Sequence, residues 1–248
     1  MAVQAGGVPG RRRGRARGRP CRAGTGNFRG GPPGTLPGSH LEGERLKEGS
    51  AGRRAMSPDK AAALRAAYVS ALTGEPPRAE AAELDALLRD GLLDARTRAP
   101  TGRGRASLHV VLSGGVFDII HPGHIHTLRQ ARALGDVLVV VVATDATAVK
   151  MKRRRPLHTQ AQRQGLVTSL SMVDACVVGD EEDMFRTVSR IAPDTIALGY
   201  DQAHQEGRVR EGCARVGSRA EVVRLGATDP AISSGEIERA YGTTIHGI

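Results

Sequence analysis

The sequence predicts an α/β fold in which a parallel sheet of about five strands carries helices on both faces. Short apolar runs rich in valine alternate with stretches of helical length, and continuous runs of this kind are typical of strands buried on both faces. The five runs are Leu108–Leu112, Val137–Ala143, Ala175–Val178, Thr195–Leu198 and Glu221–Leu225. Because alternating strands and helices favour parallel sheets with right-handed crossovers, the pattern predicts a Rossmann-like domain over residues 106–248.

The stretches between these runs predict the helices. They lie near 123–134, 159–170, 182–191 and 204–216, and each carries apolar residues at helical spacing. In sheets of this kind, ligands bind beyond the carboxyl ends of the strands and near the first strand. The residues that follow the first apolar run are therefore the first place to look for a functional site.

Residues 56–105 predict a helical hairpin followed by a linker. Apolar side chains recur at helical spacing over 59–73 and again near 78–93, and Gly74 and Pro76-Pro77 separate the two segments. The segment 95–106 is predicted to be the linker. No chemistry is evident in the hairpin, so packing is the simplest interpretation, with docking or dimerisation as alternatives.

The net charge of +10 is concentrated in residues 1–55, which hold 12 Lys and Arg against 3 Asp and Glu. The rest of the chain holds 24 basic and 23 acidic residues, so extended contact between nucleic acid and the folded body is not expected. With 14 Gly and 5 Pro, residues 1–55 predict a disordered tail. Its run Arg11–Arg19 favours non-specific attraction of polyanions. The alternatives are that the tail is only a solvated extension, or that it is not made at all. Met56-Ser57-Pro58-Asp59 favours the second, because it resembles a natural start with a helix N-cap.

The composition argues against a membrane-spanning protein, a secreted protein and a protein that stacks bases on aromatic rings. The longest apolar run, Val137–Ala143, is far shorter than the roughly 20 residues that span a bilayer, and the N-terminus lacks an apolar stretch of signal-peptide type. With no Trp, three Phe and three Tyr, a surface that stacks bases on aromatic rings is not expected. The cysteines, Cys21, Cys176 and Cys213, indicate neither a disulfide framework nor a zinc site, and a cytoplasmic location is predicted.

The segment after the first run carries the chemistry. Gly114 and Gly115 allow a tight turn and a close approach of backbone N–H groups to a ligand. Pro122 suits the first position of a helix, and His121 and His124, three residues apart, share one side of its start. The free N–H groups and the helix dipole favour an anion there. Two imidazoles at such a point predict a phosphate site, and no metal site is expected because no third ligand lies nearby.

The residues Gly115-Val116-Phe117-Asp118-Ile119-Ile120-His121-Pro122-Gly123-His124 resemble the G-T-F-D-x-x-H-x-G-H signature of the cytidylyltransferase-like nucleotidyltransferases. Val116 stands where that family usually has Thr, so a hydroxyl contact is lost. Two further segments, Gly179–Asp183 and Ala197–Gln202, resemble most closely the archaeal-type FAD synthase branch, which adenylylates FMN. The glycerol-3-phosphate cytidylyltransferase branch is less similar, since it tends to have His-Asp-Trp where this chain has Tyr200-Asp201-Gln202.

This resemblance implies an enzyme that transfers AMP from ATP to FMN and releases pyrophosphate. One alternative is a CTP-dependent cytidylyltransferase that acts on glycerol 3-phosphate or a related polyol phosphate. An alternative of another class is a protein that binds nucleic acid through its tail and uses the body as a regulatory nucleotide sensor. Family members often dimerise, although nothing in this sequence decides whether the chain forms a homodimer.

The resemblance also implies roles for individual residues. The implied catalytic residues are His121, His124, Lys150 and Lys152. The implied ATP contacts are Val116, Phe117, His121, Pro122, Gly123, His124, Asp201, Ser233 and Ser234. Arg163 is a further implied phosphate contact. A divalent ion, Mg²⁺, would bridge the triphosphate through water and phosphate oxygens, so a cage of protein ligands is not expected.

Overall fold

The computed structural model describes residues 56–227 and Ile237. The predicted tail of residues 1–55 and the predicted ATP contacts Ser233 and Ser234 lie outside the described residues. Among the described residues, no helix has the length and apolar character needed to cross a membrane.

The predicted parallel sheet of five strands is confirmed. Its strands are β1 (Val110–Gly115), β2 (Val137–Val142), β3 (Ala175–Val178), β4 (Thr195–Leu198) and β5 (Glu221–Arg224). They lie in the order β3-β2-β1-β4-β5, and every neighbouring pair is parallel. The chain proceeds from β1 outward to β3 on one side and then from β4 to β5 on the other. This reversal of direction beside β1 opens a crevice at the carboxyl ends of β1 and β4.

Eight α-helices and one 3-10 helix accompany the strands in the described part of the chain. The α-helices are α1 (Pro58–Thr73), α2 (Ala81–Arg89), α3 (Gly102–Ala106), α4 (Pro122–Ala133), α5 (Asp145–Lys152), α6 (Gln160–Thr168), α7 (Met184–Ile191) and α8 (Glu206–Arg215). The 3-10 helix spans Tyr200–Gln205 and leads directly into α8. Two helices were not predicted: α3, in the segment expected to be a linker, and α5, in the basic segment after β2.

Alternate residues of the strands feed two hydrophobic clusters, as expected for a sheet covered on both faces. Val110, Leu112 and their neighbours pack with side chains of α1, α2, α7 and α8. Val111, Val140 and their neighbours pack instead with side chains of α4 and α6. Helices α1 and α2 therefore share a core with the sheet, and the buried Tyr68 hydroxyl donates a hydrogen bond to the carbonyl of Ile191 at 2.8 Å.

Helix α3 packs very closely against the segment that follows α2. Thr101 caps the helix by accepting a hydrogen bond from the N–H of Gly104 at 3.2 Å. A Cβ atom at Gly104 would lie only 2.1 Å from the carbonyl oxygen of Leu92, so only glycine fits at this position.

Aspartates fasten the amino edge of the sheet. Asp136, Asp174 and Asp194 each stand one residue before a strand. Each carboxylate accepts a backbone N–H at the start of the neighbouring strand at 2.7 Å, from His109, Leu138 and Val110 respectively. The amino edge is thereby fixed, and the opposite, carboxyl edge carries the glycine bend and the histidines.

Candidate active site

A tight bend connects β1 to α4. Phe117 adopts a left-handed backbone conformation with φ of 54°, and its buried ring packs directly over Gly115. A Cβ atom at Gly115 would lie 3.1 Å from that ring, which explains why glycine is favoured here. Pro122 then occupies the first turn of α4 with His121 as the N-cap residue. The bend thus places Gly123, which carries the first N–H group of α4, at the wall of the cavity.

The two histidines lie together, as their spacing predicted. The centroids of the His121 and His124 rings are 3.9 Å apart, and both residues line a cavity of about 420 Å³ at the carboxyl ends of the strands. The ring of His124 also contacts the ring of Phe117, with centroids 5.1 Å apart. The rings are therefore held in one place beside open space, at the positive end of a helix dipole.

The environment of His124 keeps its imidazole neutral. Burial, reinforced by the neighbouring His121 and by the positive charge of Lys152, lowers the pKa of His124 from 6.5 to about 4, while a hydrogen bond to the backbone of Ile119 opposes the shift. A neutral imidazole at pH 7 has one N–H to donate, and an anionic ligand in the cavity would favour its protonation.

Two walls enclose the cavity above the bend. One is the end of α5, with Met151 and Lys152, and the other is the 3-10 helix. The side chain of Gln202 fastens the second wall to β1, because it accepts the N–H of Gly199 at 2.8 Å and donates to the carbonyl of Gly114 at 3.4 Å. The lining residues are Ser113, Gly114, Gly115, Val116, Phe117, Asp118, His121, Gly123, His124, Thr127, Met151, Lys152, Gly199, Tyr200, Asp201, Gln202, His204 and Gln205.

The structure brings most of the predicted site residues to this cavity. Lys152 and the exposed Asp201 line opposite walls of it. Lys150, two residues before Lys152 on α5, is exposed and is not among the lining residues. Pro122 is likewise absent from the lining, although its neighbours on both sides are present.

Arg163 lies elsewhere than expected for a phosphate contact. Its side chain is fully buried on α6 and is not part of the cavity lining. Its guanidinium donates to the carbonyl of Val116 at 2.7 Å, to the carbonyl of His158 at 3.0 Å and to the carboxylate of Asp145 at 2.7 Å. A buried cation needs such partners, and these three contacts join the bend, the start of α5 and the segment before α6.

Sequence reasoning assigned no role to Asp118, although it belongs to the quoted signature. This carboxylate is buried, accepts the N–H of His158 at 3.1 Å and pairs with Arg154 at 3.0 Å. Burial alone would raise the pKa of Asp118, but hydrogen bonds from the backbone of His158 and Leu157 and the Arg154 guanidinium outweigh it and lower the pKa. Asp118 thus stays ionised and ties the segment 153–158 to the bend.

Over residues 56–227, no group of three or more His, Cys, Asp or Glu side chains is arranged to hold a metal ion. The acidic residues that line the cavity are Asp118, which is engaged with Arg154, and the exposed Asp201 on the opposite wall.

The fold and the site together define a nucleotide-binding α/β protein of the nucleotidyltransferase type. The family model described as cytidylyltransferase-like matches residues 112–240, which is just over half of the chain. The chain therefore belongs to the cytidylyltransferase-like family.

The chain is also similar in sequence to individual archaeal proteins. The FAD synthase of Picrophilus torridus is 42% identical over 130 residues, which cover 52% of this chain and 93% of the relative. The FAD synthase of Aciduliprofundum boonei is 48% identical over 115 residues, 46% of this chain and 76% of the relative. Among solved structures, the lipopolysaccharide core biosynthesis protein from Thermoplasma volcanium is 40% identical, with a TM-score of 0.47, and the match covers 49% of this chain and 99% of that one.

Proposed function

We propose that this protein is an FMN adenylyltransferase, which joins AMP from ATP to FMN to give FAD and pyrophosphate. The observation that carries this proposal is the pair of histidine rings, 3.9 Å apart beside the cavity, in a chain similar to proteins named FAD synthase. The matched region in those relatives spans most of their own length.

The reaction is a single displacement at phosphorus. An oxygen of the FMN phosphate forms a bond to the α-phosphorus of ATP, and the bond from that phosphorus to the α,β-bridging oxygen breaks. Pyrophosphate leaves with the electron pair. A phosphate monoester has a second pKa of about 6, so the attacking oxygen is already largely ionised at neutral pH and needs no strong general base. The protein must instead position the two substrates and stabilise the developing charge.

The residues around the bend suit this task. His124, kept neutral by burial, and His121 donate hydrogen bonds to the phosphoryl oxygens, and the N–H of Gly123 at the start of α4 adds to this field. Lys152 supplies a cation inside the cavity. Lys150 is exposed on the same helix, and its contribution is attraction of the anionic substrates.

The nucleotide lies on the wall formed by the 3-10 helix, where Asp201 accepts hydrogen bonds from the ribose or base. The backbone of Val116, Phe117 and Gly123 contacts the phosphates. Ser233 and Ser234 are proposed to contact the ATP phosphates. In support, the N–H of Gly226 donates to the side chain of Gln130 at 3.0 Å, so the chain leaves β5 beside the same helix that carries the histidines.

A divalent metal ion, Mg²⁺, fits this site as a companion of the triphosphate. Mg²⁺ keeps several waters and commonly binds through substrate phosphates, so the few carboxylates at the cavity are compatible with it. When bound, the ion would neutralise charge on the phosphate oxygens.

One experiment tests the proposed function directly. The protein is incubated with Mg²⁺, ATP and FMN, and separately with Mg²⁺, CTP and glycerol 3-phosphate, while pyrophosphate release and the nucleotide product are followed. We expect pyrophosphate and FAD in equal amounts from the first mixture and little turnover of the second. Turnover of the second mixture alone would instead make the protein a polyol-phosphate cytidylyltransferase.

A further inference from the structure

One strongly exposed apolar side chain lines the cavity. In the part of the chain that the structure describes, the large apolar residues with substantial exposure are Val149, Met151, Leu157, Leu166 and Met184. Three of the five lie within nine residues, from 149 to 157. Met151 is 52% exposed, the highest value of the five, and it also lines the cavity. An exposed apolar residue on a cavity wall is available to contact a ligand, because ligand pockets are lined largely by apolar side chains.

The same segment is strongly basic. Lys150 and Lys152 flank Met151 in the sequence, and the run Arg153–Arg155 follows. Asp118 pairs with one of these cations, Arg154. The resulting surface offers both apolar contact and positive charge, which suits an anion that carries a large apolar body.

The position of this surface separates it from the nucleotide wall. β1 lies between β2 and β4, so α5, which follows β2, and the 3-10 helix, which follows β4, stand on opposite sides of the glycine bend. In an in-line displacement the acceptor oxygen enters opposite the pyrophosphate that leaves, so the acceptor needs a place at the cavity apart from the nucleotide. With the nucleotide on the 3-10 helix, the α5 wall is left for the acceptor.

We propose that Met151 is a specificity-determining residue that packs against the flat ring system of a flavin acceptor, while Lys152 binds the acceptor's phosphate. This inference rests on the proposed function and adds the location of the acceptor. The thioether of methionine is polarizable and makes favourable contacts with aromatic rings. A polyol phosphate has no such ring, so Met151 favours FMN over glycerol 3-phosphate.

The test replaces Met151 by glutamine, which has similar length but a polar end. We expect Met151→Gln to raise the KM for FMN about tenfold, while kcat and the KM for ATP stay within about twofold. Met151→Leu, which keeps an apolar side chain, should stay within about threefold of the wild type in the KM for FMN. Met184→Gln, at the other exposed methionine, on α7, is the matched control and should change neither KM.

Riboflavin separates the ring from the phosphate, because it has the same ring system without the phosphate. Its inhibition constant against FMN should rise in Met151→Gln by the same factor as the KM for FMN. In Lys152→Ala the KM for FMN should rise, but the inhibition constant of riboflavin should not change. Absence of riboflavin inhibition in the wild type would contradict a binding site for the ring.

The outcomes distinguish this inference from the function on which it rests. A wild-type protein that forms no FAD would overturn the proposed function. If FAD forms but Met151→Gln leaves the KM for FMN unchanged, only the acceptor site is refuted. A rise in the KM for ATP alone would assign Met151 to the nucleotide and also overturn the inference.

Discussion

At the scale of single residues, the histidine pair carries the chemistry. Replacing His121 or His124 by alanine removes a donor to the phosphoryl oxygens in the transition state. We expect each substitution to lower kcat by about 10²-fold or more, the scale for loss of one such donor. The measurement is initial-rate formation of FAD at saturating ATP and FMN.

His109 provides the control for these two variants. It lies at the amino edge of the sheet, where its Nε2 contacts the Thr195 hydroxyl at 2.9 Å. His109→Gln should keep kcat within about threefold of the wild type. Turnover near wild type in both His121→Ala and His124→Ala would refute their assignment.

The depressed pKa of His124 has a consequence for stability. Its pKa is about 4 in the folded protein and near 6.5 in the unfolded chain, so the unfolded state binds more protons between these values. The free energy of unfolding should therefore fall as the pH falls from 6.5 to 4. Above pH 6.5 this contribution is constant.

The pH dependence is tested by thermal unfolding at pH 4.5, 5.5 and 7. In His124→Asn, which cannot take up the proton, we expect a smaller decrease of Tm between pH 7 and 4.5 than in the wild type. Equal decreases in the two proteins would show that His124 is not the group responsible.

At the scale of elements, the segment 153–158 connects the bend that carries Asp118 to the end of α5 that carries Lys152. Asp118 holds this segment through Arg154 and the N–H of His158, directly after the helix that ends at Lys152. If Asp118 positions Lys152, then loss of Asp118 removes part of what Lys152 contributes. In a double-mutant cycle, the combined effect of Asp118→Asn and Lys152→Ala on kcat/KM for FMN should be smaller than the product of the single effects.

Asp174 gives a matched control for this cycle. It also accepts a backbone N–H and pairs with an arginine, Arg132, but at the amino edge of the sheet. The effects of Asp174→Asn and Lys152→Ala should multiply, because the two sites are independent. Multiplication in the Asp118 cycle too would mean that Asp118 acts on stability alone.

The elements also show what the sequence could predict. All five strands were predicted with ends within three residues, because a strand buried on both faces is a continuous apolar run that can be recognised without knowledge of its neighbours. α5 was missed because it is short and buries only Ala148, so it has no apolar stripe. Its start is marked only by the cap that Thr144 forms with the N–H of Thr147.

The histidine pair could be predicted because its two members are close in sequence on one helix start. The placement of Arg163 could not, because its acceptors come from residues 116, 145 and 158, and only folding brings these together. The same holds for Asp118, whose partners lie 36 and 40 residues away along the chain. Sequence patterns identify local groups, whereas contacts of buried charges depend on the tertiary structure.

At the scale of the whole molecule, charge divides the chain into two parts with different expected roles. The body is nearly neutral, and its cavity residues all lie between 113 and 205. We propose that residues 1–55 take no part in the transfer, so their deletion should leave kcat and both KM values within about twofold of the full chain.

The same deletion should abolish salt-dependent binding of RNA, measured by fluorescence anisotropy at 50 and 200 mM salt, because 12 of the basic residues are removed with the tail. A large loss of turnover would make the tail part of the enzyme, and RNA binding that survives the deletion would assign nucleic-acid contact to the body.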